Sequence, residues 1–187
     1  MNSSVSPSMP YLSDASRSTL LIVDLQEKLM PVIGDSAQVL RRAMLLAQAA
    51  RLLAIPVIGT AQQPLRLGRT VAAMDALLDQ TVEKSNFDAC AQPEFITAID
   101  NGRDQLVVLG CEAHVCVLQT VLGLLHRRHR VKLVSDAVGS RQAGDKAAAI
   151  ERARAAGAEI VTSEMLMFEW MRSSEHPKFR EILKLIK

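Results

Sequence analysis

Cys116 lies in an apolar run, His114-Val115-Cys116-Val117-Leu118-Gln119, just after a strand-like segment that ends at Cys111. Two charged residues occupy matching places elsewhere. Asp24 falls near the close of the apolar stretch Thr19–Leu25, and Lys84 ends the weaker stretch Thr81–Lys84. Each has an ordinary explanation on its own. A strand-end aspartate caps a turn, a single lysine is a surface charge, and a cysteine among apolar residues packs as a small hydrophobe. Together, at three strand ends, they make a chemical set. A thiolate is a strong nucleophile, and a helix amino terminus beside an ammonium lowers a thiol pKa from about 8.5. A carboxylate can take the thiol proton and return it to a leaving group. Backbone N–H groups of the turn before the helix can face a developing oxyanion. That is the equipment for acyl transfer.

The elements that must position these groups alternate along the chain. Thr19–Leu25 and Gln105–Cys111 are continuous apolar runs, which mark strands buried on both faces of a parallel sheet. Shorter strands are predicted at Pro56–Thr60, Thr81–Lys84, Val131–Ser135 and Glu159–Thr162. Helices are predicted over Ser36–Leu53, where Val39, Ala43, Leu46 and Ala50 recur at helical spacing, and near Val71–Asp79 and Pro93–Ile99. Others are predicted from about His114 to Arg128 and over Asp145–Ala156, the latter closed by Gly157, with a last helix capped by Ser163. The pattern predicts an α/β three-layer sandwich around a six-stranded parallel sheet. In the strand order 3-2-1-4-5-6 the first and fourth strands meet where the order reverses, and ligands bind beyond the carboxyl ends of strands at such a point. Asp24 and Cys116 would then share one crevice, with Lys84 reaching in from the flank.

Composition narrows the field. The 187 residues fit one domain, read as a flexible amino-terminal tail over 1–18 and a single domain over 19–187. A net charge of +2 gives no footprint for nucleic acid or a membrane surface, and Arg127, Arg128, His129 and Arg130 read as the solvated end of a helix. Three cysteines without CxxC or zinc spacing argue against a disulfide framework. The tail has no apolar core and no stretch nears the ~20 residues needed to span a bilayer, so the expected home is the cytoplasm.

The stretches LLIVDLQEKL, VEKSNFDA and VVLGCEAHVCVLQT, followed by VSDAV (Val134–Val138) and TSEMLMFEW…HPKF, carry a resemblance. From about Thr19 to Lys187 the chain resembles the isochorismatase-like cysteine hydrolases, which include nicotinamidases and N-carbamoylsarcosine amidase. It looks most like the isochorismatase-domain-containing hydrolases of unassigned substrate. The resemblance implies the strand order above and a catalytic triad of Asp24, Lys84 and Cys116. It also implies a cis peptide between Cys111 and Glu112, with the N–H groups of Glu112 and Cys116 as the oxyanion hole. Gln26, Phe87 and Ala113 become candidate pocket residues.

Departures from the pattern matter too. Nicotinamidases share an Asp/His metal cluster after the second strand, whereas Gly59–Thr70 here holds no histidine or carboxylate. No metal and no cofactor are expected, and nicotinamide fits poorly. Similar chains read TEQ where this one has Thr60-Ala61-Gln62, and Thr where Ala113 stands. A cysteine at the site argues for a small amide or thioester substrate. A vinyl-ether hydrolase indifferent to Cys116 and a non-enzymatic scaffold of the same fold remain the alternatives.

Cys90 and Cys111 read as packing residues, and His114 as a helix-start residue rather than a base. Phe168 and Trp170, with Met165 and Met167, form a strip suited to core packing or to contact between copies of the chain. A homo-oligomer acting on a small molecule is expected.

Overall fold

Where the sequence runs apolar without alternation, the chain forms strands buried on both faces. The computed structural model describes residues 11–186. Its strands are β1 (Ser18–Val23), β2 (Val57–Gln62), β3 (Gln80–Lys84), β4 (Gln105–Cys111), β5 (Arg130–Gly139) and β6 (Glu159–Val161). All pair in parallel, in the order β3-β2-β1-β4-β5-β6. Every residue of β1, β2 and β4 is buried, whereas the edge strands β3 and β6 leave residues exposed. That is the division expected when only central strands are covered on both faces.

Helices cover the sheet. They are α1 (Ser36–Leu52), the short α2 (Pro64–Leu67) and α3 (Ala72–Asp75), α4 (Pro93–Ile99), α5 (Leu118–His126), α6 (Ala143–Ala155), α7 (Ser163–Met171) and α8 (Phe179–Ile186). The predicted stripe of α1 holds: Val39, Ala43, Leu46 and Ala50 are all buried. This helix packs on β5 and beside α7 and α8, while α5 and α6 pack together against β5. Among the described residues no helix is long and apolar enough to cross a membrane.

Several boundaries differ from the sequence reading. The helix expected near Val71–Asp79 shrinks to the single turn of α3. α8 was not anticipated; it turns one buried residue, Ile182, inward. Thr162, not Ser163, is the cap of α7, accepting from the Met165 N–H, while the Ser163 hydroxyl donates to Asp136. Residues 1–10 of the expected tail lie outside the described residues, but its remainder is docked. Ser13 and Ser18 are fully buried, the Ser13 N–H donates to Glu169 and the Ser18 hydroxyl accepts from the Trp170 indole at 3.0 Å. Trp170 and Met167 of the aromatic and sulfur strip are thereby core residues, and Met165 and Phe168 face outward.

The order reverses between β1 and β4, whose register sets Val23 beside Gly110. Gly110 has φ +122°, and a Cβ there would lie 2.0 Å from the Val23 carbonyl oxygen. Only glycine lets the two strands close up at this point.

Candidate active site

The reversal point gathers the three residues singled out by the sequence. Asp24 follows β1 directly, in the left-handed region at φ 50°, a conformation aspartate tolerates better than most side chains. The turn buries its carboxylate completely. One oxygen accepts from the Thr60 hydroxyl at 2.7 Å, and the other from the Lys84 ammonium at 2.7 Å. Lys84 ends β3, two strands away, and its side chain is also fully buried. Its Nζ donates further to the Gln62 side-chain oxygen at 2.8 Å.

Gln62 in turn is held from every side. Its side-chain NH2 donates to the Ser85 carbonyl, its backbone N–H donates to the Gln26 side chain, and its carbonyl accepts from the same Gln26. Gln26 also donates to the Gly68 carbonyl at 2.7 Å. The amide expected to line the pocket is therefore consumed in clamping the end of β2, and Gln26 is wholly buried. Thr60 and Gln62, which orient the ion pair, were not assigned that role from sequence. The signal available was their position at the end of β2, beside the strand that carries Asp24.

Cys116 does not begin an α-helix. It sits in a π-helical turn, Ala113–Val117, that precedes α5, and the Val117 N–H reaches back to the Glu112 carbonyl at 3.2 Å. Single π-turns of this kind recur at functional sites. The peptide joining Cys111 to Glu112 is cis. The expected acidic thiol is not what this environment produces. Burial, followed by the negative charge of Asp24, pushes the Cys116 thiol up to about 12, and Lys84 offsets this only partly. Cys90 and Cys111 are buried and pushed up to about 12 as well, chiefly by burial.

Asp24, Gln62, Glu112 and Cys116 open on one cavity of about 110 Å³, whose remaining walls are Leu29, Leu67, Phe87 and Val115. Phe87 lines it with half of its surface exposed, while Ala113 is 2% exposed and is not part of the lining. The Glu112 carboxylate points away to accept from Arg141 through both its backbone N–H and its guanidinium. His114 also turns aside, its Nδ1 3.0 Å from the Ser140 hydroxyl. A larger cleft of about 350 Å³ runs between Gln63–Arg66 and Glu83–Ser85 with Gln92; it touches Lys84 but neither Asp24 nor Cys116. Asp24 and Cys116 therefore share the smaller cavity. Among the described residues no cluster of three or more His, Cys, Asp or Glu side chains could hold a metal ion.

The molecule is thus a parallel α/β protein with a buried Asp–Lys pair and a cysteine opening on one cavity at the strand reversal. The isochorismatase domain model matches residues 18–165, and the chain belongs to that family of isochorismatase-like hydrolases. Among curated relatives, isochorismatase domain-containing protein 2A of Mus musculus is 39% identical over 91% of this chain and 82% of its own length. Isochorismatase domain-containing protein 1 of Danio rerio is 36% identical over 91% of this chain; the chain spans only 61% of that longer protein. Of solved structures, the MAR1 ribonuclease from Caenorhabditis elegans superposes with a TM-score of 0.88 at 37% identity, covering 94% of this chain and 92% of that one. YcaC from Pseudomonas aeruginosa, solved with hexane-2,5-diol and covalent acrylamide, gives 0.88 at 25% identity and the same coverage.

Proposed function

We propose that this protein is a cysteine-dependent hydrolase of a small amide-type or thioester carbonyl compound, acting through a covalent thioester. One observation carries the reading: the buried Asp24–Lys84 pair opens on the same cavity as Cys116. In the proposed sequence the Cys116 thiol passes its proton to Asp24 as sulfur attacks the substrate carbonyl carbon. Because the resting thiol is held neutral, proton transfer and attack are coupled, and no free thiolate accumulates. The N–H groups of Glu112 and Cys116 receive the oxyanion. The carbon–nitrogen bond then breaks, Asp24 returns the proton to the departing amine, and an acyl-thioester remains. Water gives a proton to Asp24 and attacks the thioester; the acid leaves, and the thiol and the carboxylate are restored. Lys84 holds Asp24 in position through its hydrogen bond.

Two observations support this reading. A relative carries covalent acrylamide, which is in keeping with a reactive nucleophile in this fold. The three cysteines are free, as suits a reducing compartment such as the cytoplasm. Exposed Met165 and Phe168 on α7 favour self-association, so we extend the proposal to a homo-oligomer. The test is release of ammonia or thiol from a panel of small primary amides and thioesters, with Cys116→Ala as control. Turnover should vanish in the variant. Full turnover by Cys116→Ala, or hydrolysis of a vinyl ether that survives it, would overturn the cysteine mechanism.

A further inference from the structure

The polar groups that line the reactive cavity are already in use. Asp24 is engaged by Thr60 and Lys84, and Gln62 by Lys84 and Ser85. Arg141 holds the Glu112 carboxylate. Among the described residues the lining offers one carboxylate, that of Asp24, and no free cation, since the Glu112 carboxylate is turned to Arg141 and the ammonium of Lys84 is spent on Asp24 and Gln62. The rest of the wall is Leu29, Leu67, Phe87 and Val115. A substrate carboxylate entering here would lose its water and find no counter-ion, since Asp24 and Lys84 already neutralise each other. A buried charge without a partner is strongly disfavoured.

Size points the same way. A dry apolar cavity of about 150 Å³ accommodates benzene, with its six carbons, so one of about 110 Å³ holds roughly four or five non-hydrogen atoms.

Resting on the proposed cysteine-hydrolase reading, we infer that the substrate class is short, uncharged aliphatic acyl compounds, simple primary amides of about two or three carbons being the type. Phe87, half-exposed at the cavity wall, sets the length limit. Dicarboxylates, isochorismate included, fall outside this class.

Two measurements separate this inference from the mechanism beneath it. In the first, kcat/KM is compared for acetamide, propionamide, butyramide, hexanamide and the anionic succinamate. Butyramide, one atom above the favoured size, should still exceed succinamate, of equal carbon count, by at least about 100-fold, because a single added hydroxyl already costs about that much in an apolar site and an unpaired charge costs more. Phe87→Ala should move the optimum toward hexanamide. Comparable rates on succinamate would overturn the substrate class while leaving the cysteine mechanism intact, and an unchanged length profile would remove Phe87 from the specificity role.

The second needs no turnover. Alkylation of Cys116 by neutral iodoacetamide and by anionic iodoacetate is followed at pH 9 by mass spectrometry, each rate normalised to glutathione. A preference of about tenfold or more for the neutral reagent is expected from charge exclusion. The absence of any preference overturns the inference, and a preference found without amide turnover would uphold the uncharged class while rejecting the hydrolytic reading.

Discussion

The Lys84 ammonium lies 2.7 Å from the Asp24 carboxylate, and neither side chain has any surface exposed to solvent. The pair joins the ends of β1 and β3 across the intervening β2, so the charges are compensated only within the folded sheet. Removing one partner leaves the other buried and unpaired, which costs about 3–5 kcal/mol. Lys84→Met and Asp24→Asn should each lower unfolding stability by that order and abolish turnover. The double variant should recover much of the stability and none of the activity. Denaturant unfolding and ammonia release read the two effects separately.

Asp24 is also the main charge that holds the Cys116 thiol neutral. In Asp24→Asn the ammonium of Lys84 loses its carboxylate partner while still favouring a Cys116 thiolate. Iodoacetamide should therefore label Cys116 slowly in the native protein near pH 7, and faster in Asp24→Asn at the same pH. Equal or slower labelling of the variant would show that Asp24 does not restrain the thiol.

All three thiols are pushed up to about 12 by burial. An unfolded thiol ionises near pH 8.5–9, while the folded protein keeps its protons to higher pH. Above pH 9 the unfolded state thus binds fewer protons, and stability falls as pH rises toward 12; below pH 8.5 the contribution is fully present. Melting temperature should be level from pH 7 to 8 and decline from pH 9 to 11. Cys90→Ala and Cys111→Ala should each flatten that decline, which differential scanning calorimetry can record.

Gln62 holds Lys84 without lining up as a nucleophile or base of its own. Gln62→Leu keeps the bulk and removes the hydrogen bonds, so kcat should fall by about tenfold, near 1.4 kcal/mol, with little change in KM. Gln62→Glu restores an acceptor for Lys84 and should recover part of the rate, with a changed pH profile. A merely structural role for Gln62 would move stability and leave that profile alone.

Gly110 makes a structural counterpart. A Cβ there meets the Val23 carbonyl oxygen at 2.0 Å, in a backbone region that side chains rarely adopt. Gly110→Ala should be severely destabilising, by more than about 4 kcal/mol, or should fail to fold in a soluble-expression assay.

Much of this arrangement was readable in the residues themselves. Unbroken apolar runs at Thr19–Leu25 and Gln105–Cys111 determined buried parallel strands, because only a sheet covered on both faces hides both sides of a strand. Asp24, Lys84 and Cys116 each had an ordinary reading alone, and stood out because all three fall at matching strand ends. Three features needed the tertiary structure. Gln26 looked like a pocket residue, yet its amide is used by the backbone of Gln62, a partner 36 residues away whose position no local pattern encodes. Cys116 was expected at a helix amino terminus with a lowered pKa. The π-turn and the surrounding apolar wall instead bury it, and in a low-dielectric setting desolvation outweighs a nearby ammonium already paired with Asp24. Thr60 and Gln62 acquire their roles only when β2 is laid between β1 and β3. The sequence by itself determined which reactive groups stand at strand ends, since periodicity and residue type are local properties. Only the fold decided how each is charged, held and sheltered, because burial and pairing are set by neighbours distant along the chain.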